Sequence, residues 1–233
     1  PFDFYDQAID VGVDSANNIS DYGGGASTAY GIYAIYQNNL KLANNTITSG
    51  SGTTTILYGI FTSTGTNSNV DIYNNTVTIT GGGTTSTIYA INNAMGSTGT
   101  SNTVNMYNNT ITGCSYPTAT TGVMYLLYST STPNRINMYG NTVSGNTAPG
   151  TGAMYCIYES GAAVDSAKLY GNVVTNNTRS STGSVYCVYS SPASTTNTEI
   201  FGNTVHGNST AGGSVYSIYS AAGSTINVYK NTV

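Results

Sequence analysis

Apolar and polar positions alternate in short runs that recur along the whole chain. In Ile136-Asn137-Met138-Tyr139 the apolar Ile136 and Met138 alternate with Asn137 and Tyr139, the two-residue period of a β-strand with one buried face. Gly140 follows, where other copies carry Asn44, Asn74, Asn108, Gly171, Gly202 and Lys230. Gly and Asn tolerate positive φ best, so this position predicts a left-handed corner. An Asn, a Thr or Val and an aliphatic residue complete the unit, as in Asn141-Thr142-Val143.

Aligned on that Asn, the copies are Asn45, Asn75, Asn109, Asn141, Asn172, Asn203 and Asn231, with steps of 30, 34, 32, 31, 31 and 28 residues. A second anchor, Tyr-x-aliphatic-Tyr, lies between them, as in Tyr30-Gly31-Ile32-Tyr33, Tyr125-Leu126-Leu127-Tyr128 and Tyr155-Cys156-Ile157-Tyr158. Tyr58-Gly59-Ile60-Phe61 and Tyr89-Ala90-Ile91-Asn92 are weaker copies. A period of this size made only of short strands and turns predicts an all-β solenoid. The expectation is one domain, 1–233, of about eight coils of roughly 31 residues, each with three short strands. Residues 1–20 read as an irregular first coil, in which Asn17-Asn18-Ile19 takes the corner, and 21–233 as the regular repeats.

Asn-Asn-Thr-Ile/Val with Tyr-Gly-Ile-Tyr resembles the right-handed parallel β-helix repeat of the pectate-lyase-like superfamily, over nearly all the chain. The resemblance implies a right-handed winding. It implies little about function, because the family includes polysaccharide lyases and hydrolases, phage tailspikes and adhesive surface proteins.

Strand spacing of about 4.8 Å turns equivalent residues into columns. The aliphatic column Ile32, Ile60, Ile91, Leu127, Ile157, Val188, Ile218 is expected to point inward, and strict alternation puts Tyr155 and its equivalents on the same side. The Asn column is expected to form a ladder whose amides satisfy the corner backbone. Two aromatic columns are expected outside: Tyr73, Tyr107, Tyr139, Tyr170, Phe201, Tyr229, and Tyr33, Phe61, Tyr128, Tyr158, Tyr189, Tyr219. Such rings bury one another's faces, and could also meet sugar rings or a neighbouring protein.

Charged residues are 6% of the chain and the net charge is -4, which leaves no basic footprint for nucleic acid. No apolar run has the length to span a membrane. The chain opens at Pro1 without a signal-like segment, and reads as a processed or truncated piece of an exported, extracellular protein. Asp3, Asp6, Asp10, Asp14 and Asp21 gather near the start. They are expected to keep that end soluble, a loose calcium site being the alternative. Cys156 and Cys187 occupy the same place in neighbouring copies, within reach of a disulfide, but two stacked thiols are the leading expectation.

The outward set on the second strand is Lys41, Asp71, Asn105, Asn137, Lys168, Glu199, Asn227, with Lys41 expected to pair with Asp71 and Lys168 with Glu199. No two acids are expected to converge, and His206 is the only imidazole. The expectation is therefore a non-enzyme without cofactor or metal. Thr-x-Thr on the third strand (Thr46/Thr48, Thr76/Thr78, Thr110/Thr112) resembles ice-binding solenoids, but decays at Val173/Thr175 and Thr204/His206. Sequons stand at Asn18, Asn44, Asn74, Asn108, Asn176 and Asn208.

The last copy stops just after its corner, and Phe2 begins on the strand that should follow. The coils thus span about 38 Å, with no helix or charged cap expected at either rim. Phe2, Phe4 and Tyr5 at one rim and Tyr229, Thr232 and Val233 at the other are the expected contacts of a head-to-tail homopolymer, or of flanking coils in a longer chain. The leading expectation is a structural segment of a surface filament or adhesin stalk. The rivals are a carbohydrate-binding or carbohydrate-degrading tailspike-like helix and, further off, an ice-binding solenoid.

Overall fold

A computed structural model describes residues 6–52, 55–83, 85–116, 118–193, 196–221 and 223–233. Every strand pairing in it is parallel, and each strand pairs with its equivalents about 31 residues before and after. The chain is a parallel β-solenoid of about seven turns, close to the eight expected. Among the described residues the first coil contributes only Asp10–Val11 and Asn18–Tyr22 to the long sheets. Phe2, Phe4 and Tyr5 lie outside the described residues.

Three long sheets run along the axis. The first contains the Tyr-x-aliphatic-Tyr strands from Ala29–Ile35 to Val215–Ser220. The second runs from Asp10–Val11 to Thr225–Tyr229, and the third from Asn18–Tyr22 to Thr204–His206. A short fourth sheet joins Thr147–Ala148, Thr178–Arg179 and Ser209–Thr210, so the later coils carry one strand more than the three expected.

The corner between the second and third sheets is left-handed as predicted: φ is 57° at Asn44, 64° at Gly140 and 54° at Lys230. Directly after it the ladder Asn turns inward. Asn17 heads that row, donating from Nδ2 to Asn45 Oδ1 at 2.8 Å. Asn18 pairs instead with Thr46, so the first coil's corner sits one residue earlier than a corner centred on Asn18 would.

The core is one continuous column. Ile60, Ile91, Leu127, Ile157 and Val188 are fully buried from the first sheet, and Ile72, Met106, Met138, Leu169 and Ile200 from the second. Space between the sheets is tight: a Cβ on Gly59 would come within 2.4 Å of the Ala90 carbonyl oxygen. Small side chains therefore suit that position in the early coils.

One expectation about the first sheet fails. Met154, Cys156, Ile157 and Glu159 are buried while Tyr155 and Tyr158 are not. Cys156 and Ile157 point inward in succession, so the strand bends there and alternation is broken. Tyr155 and its equivalents therefore stand outside, beside the other Tyr column. The two successive inward residues, Cys156 and Ile157, fill the interior at that point, so the rings on either side are left outside.

Candidate functional site

The bend puts two aromatic rows on one outer face. Tyr30, Tyr58, Tyr89, Tyr125, Tyr155, Tyr186 and Tyr216 form one; Tyr33, Phe61, Tyr128, Tyr158, Tyr189 and Tyr219 form the other, broken at Asn92. Within a row, Tyr125–Tyr155 and Tyr155–Tyr186 stack with centroids 4.8 Å apart. Across the rows, Tyr125–Tyr128 stack at 4.4 Å and Tyr155–Tyr158 at 5.0 Å. From Tyr125 to Tyr189 the rings stack on one another's faces, whereas Tyr219 meets Tyr189 edge-on, 75° from parallel. Desolvation, then neighbouring phenols, push the Tyr125 and Tyr158 hydroxyls well above the usual phenol range, so both stay protonated.

A third aromatic row lies on the second sheet, where it was expected. Tyr73, Tyr107, Tyr139, Tyr170, Phe201 and Tyr229 stack at 4.8 to 5.0 Å with planes within 4° of parallel.

Next to it runs the polar column. Lys168 Nζ meets Glu199 Oε2 at 2.6 Å, as expected, and that hydrogen bond raises the lysine's pKa. Lys41 lies in register with Asp71, but its ion pair runs to Asp10 Oδ1 at 3.7 Å. Asp71 instead accepts from Asn105 Nδ2 at 2.8 Å, and Asn105 accepts from Asn137 at 2.9 Å. Arg135 reaches Asp165 at 2.7 Å. Arg135, Asn137, Asp165, Lys168, Glu199 and Asn227 line one open groove of about 440 Å³. Asp165 and Glu199 thus share a groove although no acids were expected to converge; each is held by its own cation.

The Asn column is a ladder in full. Asn109 Nδ2 donates to Asn141 Oδ1 at 3.0 Å and to the Ile72 carbonyl at 2.9 Å, while its backbone N–H donates to Asn141 Oδ1 at 3.0 Å. The pattern repeats at Asn75, Asn141, Asn172 and Asn203.

A second ladder, not anticipated, stands at the next corner. Asn146 donates to Asn177 Oδ1 at 2.7 Å, and Asn177 to Asn208 Oδ1 at 2.9 Å. Cys114 takes the same place one coil earlier: its N–H donates to Asn146 Oδ1 and its Sγ accepts from the Ile79 N–H at 3.3 Å. The signal was the repeated Gly145-Asn146-Thr147, Asn176-Asn177-Thr178 and Gly207-Asn208-Ser209, a copy of the first corner's motif.

This ladder bears on the sequons. Asn208 donates to the Val174 carbonyl and accepts from Asn177, so its amide is engaged in the corner. Asn18, Asn74, Asn108 and Asn176 are exposed, and Asn44 is half-buried with its Nδ2 donating to the Gly12 carbonyl. All three cysteines are free and fully buried; Cys156 and Cys187 stack as thiols, and burial pushes the Cys156 thiol up.

Two buried ionisable groups were also missed. Glu159 is fully buried; its Oε2 accepts from Ser190 Oγ at 2.9 Å and its Oε1 has no hydrogen-bond donor. Burial pushes its carboxyl up to about 8, against the smaller opposing pull of Ser190 and the Gly161 N–H. Arg179, fully buried, donates to the carbonyls of Ala153, Pro149 and Gly150, and burial lowers its pKa to about 10.

The Thr-x-Thr residues of the third sheet are in register from Thr46/Thr48 to Thr142/Ser144, with Thr78 Oγ1 turned to the Thr112 carbonyl. Among the described residues no three His, Cys, Asp or Glu gather as a metal site, and no helix is long and apolar enough to cross a membrane. At the last strand, Ile226 and Val228 are 41% and 49% exposed, whereas their register partners Thr198 and Ile200 are fully buried. Tyr229 and Val233 are likewise exposed, and Thr232 is bridged to Thr204. Comparison with protein-family models, curated proteins and solved structures finds no match.

Proposed function

We propose that this solenoid is a structural segment of an extracellular fibre or adhesin stalk, right-handed and akin to the pectate-lyase-like superfamily. The observation that carries the reading is that three long sheets repeat one coil along a single axis, each strand pairing in parallel with its equivalents about 31 residues away. The unbroken Asn ladders support it, because a column built by repetition extends without a new interface type. Negative-stain images of the native material test the reading. Rods longer than the roughly 34 Å that seven coils span are expected; discrete compact particles of constant size would remove it.

A second reading rests on the groove over Arg135, Asn137, Lys168 and Glu199. Paired charges and amides beside the Tyr139–Tyr170 stack suit a carbohydrate. A glycan array read together with a turnover assay separates the two, since a stalk gives neither tight binding nor product.

A further inference from the structure

We propose that the two-row aromatic face of the first sheet is a site of oxidative modification, where a peroxidase-type one-electron oxidant couples tyrosines of neighbouring coils into dityrosine. The proposal goes beyond the stalk reading and does not depend on it.

Proximity is the first argument. Tyr158 and Tyr189 stack with centroids 4.3 Å apart and planes 5° from parallel; Tyr155 and Tyr186 stack at 4.8 Å. Each Tyr of the middle coils has aromatic neighbours along its own row and across to the other, so a phenoxyl radical formed there meets a second phenol without diffusion. The gap left to close is taken up by rotation of side chains that face solvent.

Selectivity is the second. The chain has no Trp, and its five Met and three Cys are all fully buried. The residues that usually intercept oxidants first are thus shielded, and tyrosine is the oxidisable surface.

The chemistry balances. Each of two phenols gives up one electron and one proton to become a phenoxyl radical. The radicals join through their ortho carbons in one C–C bond, and the two ortho hydrogens move to the oxygens to restore both phenols. Hydrogen peroxide accepts the two electrons and two protons and leaves as two waters.

The fold supplies an internal control. Phe201 separates Tyr170 from Tyr229 in the third row and cannot form a phenoxyl radical. Tyr139–Tyr170 should couple, and Tyr170–Tyr229 should not.

The test exposes the folded chain to a haem peroxidase and hydrogen peroxide, with the chain unfolded in denaturant as the comparison. Expected are blue dityrosine emission, a monomer lighter by two hydrogens per link, and linked peptides joining Tyr158 to Tyr189 or Tyr155 to Tyr186. The linked monomer should show a higher denaturant midpoint. In Tyr158→Phe/Tyr189→Phe the first linked peptide disappears and the second remains. The proposal is overturned by links only between chains, by hydroxylated tyrosine without links, by the same scattered pairs in folded and unfolded samples, or by a Tyr170–Tyr229 link as frequent as Tyr139–Tyr170. The folded-against-unfolded comparison decides even if the double variant does not fold.

Discussion

Asn141 donates to Asn172 Oδ1 twice, from its side-chain Nδ2 at 2.9 Å and from its backbone N–H at 3.0 Å. One oxygen thereby satisfies both the corner backbone and the amide of the coil before it, and each further Asn repeats the arrangement. Asn141→Ala removes the acceptor for the Asn109 N–H and Nδ2, and the donor to the Met106 carbonyl. With about 1–3 kcal/mol for each buried group left unpaired, a loss of roughly 3 kcal/mol or more is expected. Asn141→Asp should cost comparably, because its carboxylate faces Asn172 Oδ1 and the Met106 carbonyl with no hydrogen to give. Denaturant unfolding of both variants checks this; a loss below about 1 kcal/mol in each would remove the ladder from the list of main supports.

Tyr155→Ala distinguishes an outer ring from a core ring. A buried ring would cost about 3–5 kcal/mol on truncation. An outer ring stacked on Tyr125 and Tyr186 should cost roughly 1–2 kcal/mol. Ile157→Ala, its inward neighbour, should cost about 2–5 kcal/mol. Thermal or denaturant unfolding of the pair should rank Ile157 above Tyr155, and the opposite order contradicts the bend at Cys156.

Glu159 makes stability depend on pH. Its folded pKa of about 8 lies above the ordinary 4.5, so between those values the folded chain holds a proton that the unfolded chain has released. Stability therefore falls as pH rises through that window and levels off above it. Glu159→Gln should flatten the profile, leaving stability near pH 4 little changed. Near pH 9 it should add on the order of a few kcal/mol, less whatever the new amide loses for want of an acceptor. Unfolding midpoints at the two pH values provide the check: equal slopes in parent and variant would exclude Glu159 as the source.

The cysteines should be silent in the folded chain. All three are fully buried, and burial holds Cys114 up to about 12 and raises Cys156 as well. A chromogenic thiol reagent at pH 8 should find none in native protein and three after unfolding. A count of one after unfolding would mean that Cys156 and Cys187 had joined as a disulfide.

The solenoid, its period and its first corner were legible because one unit, Gly/Asn-Asn-Thr-aliphatic, recurs with little change and its residue types answer to φ and to hydrogen bonding. The second ladder was less so. Its motif appears in only three coils, and Cys114 substitutes for the amide in the coil before them. The side on which Tyr155 stands was misread because period-two reasoning assumes a straight strand, and Cys156-Ile157 spends two residues on the inside. The groove was hidden for another reason. The loops that vary in length between coils are those that bring Asp165 beside Arg135, and their path follows from packing rather than local pattern.

The amide ladders also give the molecule an arrow. From Asn17 to Asn203 each Asn in the row gives a side-chain hydrogen to the Oδ1 of the Asn one coil later, while from Asn45 on its Nδ2 also donates back to a carbonyl of the earlier coil. A column of such dipoles is donor-faced on one side and acceptor-faced on the other. Two of these columns meeting like side to like side would set hydrogen against hydrogen, so any lengthening of the rod must keep a single sense of travel.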